Sequence, residues 1–140
     1  MTTESDIELV RTFLTHFKAG EYDSLHELQA QVDWDIFPGR AEKYIPWMGH
    51  FEGPEGADAC IKAFDATLTT EQFDMEMFLS GPGQVGGLIR AIWITRDGNR
   101  RFHLDFFVLF KVENGKIQSV REFGDTAEAI EAYRGKALDE

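Results

Sequence analysis

The segment Phe102 to Val112 constrains the fold more than any other stretch of this chain. Side chains on a strand alternate between its two faces. Phe102, Leu104, Phe106, Val108, Phe110 and Val112 share one parity, and all are apolar. That face has to be buried. The opposite parity reads His103, Asp105, Phe107, Leu109 and Lys111, mixed in character with an apolar centre. A strand this long, with one wholly apolar face, calls for a sheet whose inner surface is covered by other elements. The partial apolar patch on the outer face suits a subunit interface. It predicts a homodimer formed through the outer face of the sheet.

The flanking sequence supplies the rest of that sheet. Asp97-Gly98 and Asn114-Gly115 are hairpin turn signals on either side of the long strand. They predict partner strands over Leu88–Thr95 and Lys116–Phe123. A further strand is expected over Phe73–Leu79, joined through a glycine-rich loop at Gly81–Gly87. Upstream, Ser5 and Glu8 read as a capping box. Ile7, Val10, Leu14 and Phe17 follow at helical spacing, with Phe13 beside them, and Gly20 ends that helix. Asp23–Leu28 reads as a short second helix and Val32–Phe37 as a short strand. Arg40–Gly53 reads as irregular and aromatic. Pro54 opens a third helix with Ala57, Ile61, Phe64 and Leu68 on one face. Asp125-Thr126 caps a final helix carrying Ala129, Ile130 and Tyr133. The expected class is α+β, with helices covering one face of an antiparallel sheet.

Composition agrees with a single domain over residues 1–140. The chain is 43% hydrophobic and 13% aromatic, with twelve Phe, which excludes disorder and supports a core without staples. Charge interrupts every long apolar run, so no membrane span is expected. The N-terminus lacks the features of a signal peptide. Cys60 is the only cysteine, so no intrachain disulfide forms, and a cytoplasmic location is expected. The formal net charge of −11 argues against nucleic acid and against anionic membranes as partners.

Several segments resemble the SnoaL-like branch of the nuclear transport factor 2-like superfamily. They are Pro46-Trp47-x-Gly49-x-x-x-Gly53 before the third helix, Asn114-Gly115-Lys116-Ile117, and Glu122-Phe123-x-Asp125-Thr126. The resemblance spans nearly the whole chain. It implies a cone-shaped curved antiparallel sheet, a cystatin-like α+β barrel, with N-terminal helices on its concave face. It also implies a deep pocket and a dimer. Members include ketosteroid isomerases, polyketide cyclases, dehydratases and proteins without catalysis, so the fold alone assigns no reaction. The isomerases' tyrosine falls at Phe13, their strand aspartate at Val108, and their base near Trp34, between Asp33 and Asp35. None of these three residues can perform that chemistry. The cyclases' acid/base residue falls at Glu122, while their assisting histidine has no match, since His103 has the wrong parity.

Read residue by residue, Glu122 shares a strand face with Val120. If that face lines a pocket, desolvation raises its pKa toward the range useful for proton transfer. The alternative is a structural carboxylate paired with Arg90 or Arg121. His50 and Tyr44 are expected at the pocket mouth, as proton relay and hydrogen-bond donor, or else as loop packing. Phe13, Phe17, Trp34, Trp47, Phe106, Val108 and Val120 are expected to form the apolar wall. His103 and Asp105 share one strand face but lack the further ligands a metal needs. Gly81-x-Gly83-x-x-Gly86 matches a dinucleotide fingerprint as a string, but a strand follows it, not a helix. No cofactor or metal is expected. The expected ligand is a small apolar organic molecule. The expected activity is cofactor-free isomerase, cyclase or dehydratase chemistry, or ligand binding alone.

Overall fold

The structure, a computed structural model, describes residues 3–30 and 33–135. Helix α1 (Thr3–Lys18) and a 3-10 turn (Tyr22–Leu28) lead into strand β1 (Asp33–Ile36). A second 3-10 turn (Arg40–Lys43), strand β2 (Gly49–Glu52) and helix α2 (Gly53–Thr67) follow. The chain then runs through β3 (Leu68–Gly81), β4 (Gln84–Thr95), β5 (Arg101–Glu113) and β6 (Lys116–Gly124) to helix α3 (Ala127–Arg134). No helix among the described residues is long and apolar enough to cross a membrane.

The strands form one curved, unclosed sheet in the order β2-β1-β6-β5-β4-β3. It carries the α+β architecture expected from the sequence, with one refinement. All pairs are antiparallel except β1 with β6, which run parallel through Trp34↔Val120 and Ile36↔Glu122. A parallel pair needs a long crossover, and everything from β2 to β5 lies between these two strands. The apolar parity of β5 faces the helices, and all six of its side chains are buried.

Local chemistry explains most boundaries. Gly20 takes φ 76°; its N–H reaches the Phe17 carbonyl and that of Glu21 reaches His16, a Schellman ending for α1. Asn114 and Gly115 both have positive φ, as a two-residue hairpin turn requires. Asp125 Oδ1 accepts from the Ala127 N–H at 3.0 Å, an Asx-type turn that leads into α3, whose N-cap position is Thr126.

Four expectations need correction. Ser5 lies inside the first turn of α1, because the helix already begins at Thr3. Glu4 and Asp6 suit that positive helix end. Gly49–Glu52 is a strand, held by pairing with β1, in a stretch read as irregular. Leu68 opens β3 where α2 was expected to include it. The glycine-rich loop contracts to Pro82-Gly83, with Gly86 and Gly87 inside β4. A Cβ on Gly86 would lie 2.4 Å from the Phe107 ring, so only glycine lets that ring lie across the strand. Val32, placed in the first strand from sequence, lies outside the described residues.

Gly124, at the end of β6, gives a test of packing. A Cβ there would sit 2.8 Å from the Asp105 carbonyl oxygen and 3.0 Å from the Phe106 Cβ. Gly124→Ala is expected to destabilise the fold by about 1–3 kcal/mol, read as a lower denaturant midpoint at unchanged slope.

Candidate functional site

Helices and sheet enclose a cavity of about 550 Å³ counting its mouth. Helix α1 contributes Phe13, Leu14 and Phe17, and α2 contributes Cys60, Ile61 and Phe64. The sheet supplies Trp34 and Ile36 from β1, Phe73 from β3, Trp93 from β4, and Phe106 and Phe110 from β5. Trp47 closes one side from the segment before β2. Most of the rings pack against one another, edge to face or tilted. Phe64 lies 5.2 Å from Trp47 and 5.4 Å from Trp93, and Phe17 lies 5.3 Å from Phe64.

Strand β6 adds Val120 and Glu122. Glu122 faces inward because its cross-strand neighbours, Ile36 and Val108, both lie on the buried parity. The Glu122 side chain is half-buried. Its exposed part faces the cavity that Glu122 lines. Among the described residues, no hydrogen bond or ion pair reaches its carboxyl. Arg90 pairs with Glu76 at 3.5 Å and Asp105 at 3.7 Å, and Arg121 pairs with Asp35 at 3.7 Å. Both arginines considered as structural partners are therefore engaged elsewhere. Burial alone pushes the Glu122 pKa up to about 8. At neutral pH the group is mostly a carboxylic acid.

The remaining polar atoms around the cavity are already used. The indole N–H of Trp34 donates to Gln29 Oε1 at 2.8 Å, that of Trp93 to Thr70 Oγ1 at 3.0 Å, and that of Trp47 to the Tyr133 hydroxyl at 2.7 Å. The Cys60 thiol donates to the Trp47 carbonyl at 3.3 Å. Burial, then the neighbouring Glu122, pushes its pKa well above the ordinary thiol range, so it stays protonated.

Three expected site residues lie elsewhere. His50 is on the exposed face of β2, with Nδ1 2.6 Å from Asp35 and Nε2 2.9 Å from Glu52 and 3.4 Å from Asp33. Hydrogen bonds to Glu52 and then Asp35 raise its pKa to about 9, which holds it as an imidazolium. Asp33, His50 and Glu52 place ligand atoms within 4.8 Å of one another, the one such group among the described residues. Both ring nitrogens of His50 are already paired with carboxylates. Tyr44 packs beneath the Arg134 guanidinium, 5.2 Å from the ring centre, and does not line the cavity. Val108 is buried in the core but also does not line it. His103 and Asp105 face outward, toward Glu128 at 3.9 Å and Arg90 at 3.7 Å. Of the lining residues the sequence reading missed, Trp93 and Phe110 had the signal of inward parity, and Phe64 that of the buried face of α2.

The architecture can be matched to solved structures. An NTF2-like protein from Burkholderia xenovorans superposes with a TM-score of 0.82 at 22% identity, over 95% of this chain and 98% of that one. TerC, co-crystallised with polyporic acid, gives 0.81 at 17% identity, over 93% and 98%. The chain has the nuclear transport factor 2-like fold. A Bacillus subtilis protein provisionally described as an isomerase gives 0.80 at 17% identity, over 99% of each chain. Two further structural neighbours are provisionally described as polyketide cyclases, one of them SnoaL-like. No protein-family model and no curated protein sequence matches this chain.

The buried carboxyl makes stability depend on pH. Below about pH 4.5, the ordinary value for this group, folded and unfolded chains hold the proton alike. As pH climbs toward 8 the unfolded chain ionises while the folded one resists, so stability falls and then levels off. Relative to Glu122→Gln, the wild-type protein should lose roughly 2–5 kcal/mol between pH 5 and pH 9. Denaturant unfolding of both proteins at pH 5, 7 and 9 measures this. Parallel profiles would remove the buried carboxyl from the account.

Proposed function

We propose that this is a small-molecule-binding, SnoaL-like protein that performs cofactor-free acid/base chemistry on an apolar, oxygenated substrate. Glu122 is the proton carrier. The observation that carries this reading is an enclosed carboxyl with no protein partner among the described residues, facing an aromatic cavity. Such a group is poised near neutral pH, as general acid/base catalysis requires. Phe13, Phe17, Trp34, Trp47, Phe106 and Val120 provide the apolar wall that excludes water and strengthens the acid's interaction with a substrate oxygen. Tyr44 and His50 have no part in this chemistry, because neither reaches the cavity.

A second reading, ligand binding without turnover, is favoured by one specific feature. Among the described residues, Glu122 is the only acid/base group at the cavity apart from a thiol held neutral, so catalysis rests on a single side chain. Native mass spectrometry of the purified protein is expected to detect a copurified small molecule. With that molecule as substrate, Glu122→Gln should retain the fold and abolish turnover, whereas full activity in the variant removes Glu122 from the mechanism.

The same reading includes a homodimer. Met77, Leu88, Phe107 and Phe123 form one cross-strand row over β3 to β6 on the outer sheet face. All four are substantially exposed, from 36% to 50%. Leu79, 60% exposed, lies one row away. Contiguous exposed apolar surface of this kind marks an interface. Light scattering should give twice the chain mass for the wild type and the single-chain mass for Phe107→Asp. A wild-type monomer at high concentration would overturn the dimer.

A further inference from the structure

The polar inventory of the cavity sets the sign of charge it can stabilise. Enolate or oxyanion chemistry needs hydrogen-bond donors aimed at a developing negative oxygen. Here the indole N–H groups of Trp34, Trp47 and Trp93 are spent on Gln29, Tyr133 and Thr70, and the Cys60 thiol on a backbone carbonyl. Among the described residues, no Lys, Arg or His lines the cavity. What remains is ring surface and one carboxyl. Aromatic faces attract cations, and a carboxylate does the same more strongly.

We infer that the reaction in this cavity passes through a positively charged intermediate, and that the substrate is a neutral apolar alcohol whose carbon can carry that charge. This rests on the reading of Glu122 as proton carrier and names the substrate class for that site. Glu122 gives its proton to the hydroxyl oxygen, the C–O bond breaks with its electron pair leaving on oxygen, and water departs. The carbocation is held between the rings and the new carboxylate. Glu122 then takes a proton from the adjacent carbon, whose C–H electron pair becomes the C=C bond. The net change is loss of one water, and Glu122 ends as the acid it began as. A tertiary or allylic alcohol meets the requirement, because its cation is delocalised or alkyl-stabilised. Anionic substrates are excluded, since nothing in the cavity balances a negative charge.

A stable cation of similar size mimics that intermediate and should be recognised by the ionised form of Glu122. Choline and 3,3-dimethylbutan-1-ol differ only in replacing the quaternary nitrogen by carbon. The three tryptophans at the cavity report binding of either through their emission. The wild-type protein is expected to bind choline at least about tenfold more tightly than the alcohol at pH 9. That preference should shrink roughly tenfold per pH unit as Glu122 becomes protonated below its titration point. Among the described residues, Cys60 on α2 is the one other titratable side chain lining the cavity, and it stays neutral throughout. In Glu122→Gln, checked for native circular dichroism, the preference should fall to the small, pH-independent share that the rings supply. Equal binding of the two probes by the wild type overturns the cationic intermediate but leaves the cavity as a ligand site. A preference for choline that keeps its full size and its pH dependence in Glu122→Gln also overturns it. If neither probe binds, the ligand-binding reading falls, and this inference with it.

Discussion

Six apolar side chains on one face of β5 cannot meet water together. Each is worth about 1.5–3 kcal/mol on burial, so the face as a whole outweighs any local preference elsewhere in the chain. The sheet has to curve over something, and α1 and α2 are what it curves over. Strand order follows from the same demand. Neighbours β4 and β6 continue the inner surface with Ile89, Trp93 and Val120, and β1 extends it with Trp34 and Ile36. A surface built so largely from rings does not close completely. Rings meeting edge to face or tilted, with centres 5 to 6.5 Å apart, leave a hollow between helix and sheet.

Into that hollow the register of β6 forces one carboxyl. Burying an unpaired carboxylate is expensive, and the usual remedy is an arginine or lysine partner. The protein takes the other remedy, keeping the group neutral by raising its pKa. Both nearby arginines are held on the outer surface by acidic partners, so they cannot reach inward to quench it. The result is a proton held in an apolar enclosure, a costly arrangement for stability and a useful one for chemistry.

Charge elsewhere is sorted to the outside. His50 is the clearest case, an imidazolium shared among Asp33, Asp35 and Glu52 on the edge formed by β1 and β2. Its high pKa arises from neighbouring carboxylates, whereas that of Glu122 arises from burial away from water. Raised values at two sites thus report opposite environments, and only one of them is a candidate for proton transfer.

The sequence alone determined the α+β class, the four-strand meander, the inner face of β5, the Schellman and hairpin turns, and the inward parity of Glu122. Each depends on periodicity or on local backbone chemistry, both of which are written in neighbouring residues. Tertiary structure alone decided the rest. The parallel pairing of β1 with β6 and the strand at Gly49–Glu52 depend on partners far along the chain. His50 and Tyr44 sit in an aromatic stretch that reads like a pocket mouth, but the pairing of β2 with β1 turns His50 outward and Arg134 covers Tyr44. Whether Glu122 meets an arginine or an empty space is likewise a matter of distance between side chains on different strands. Parity says which way a side chain points, and only packing says what it meets there.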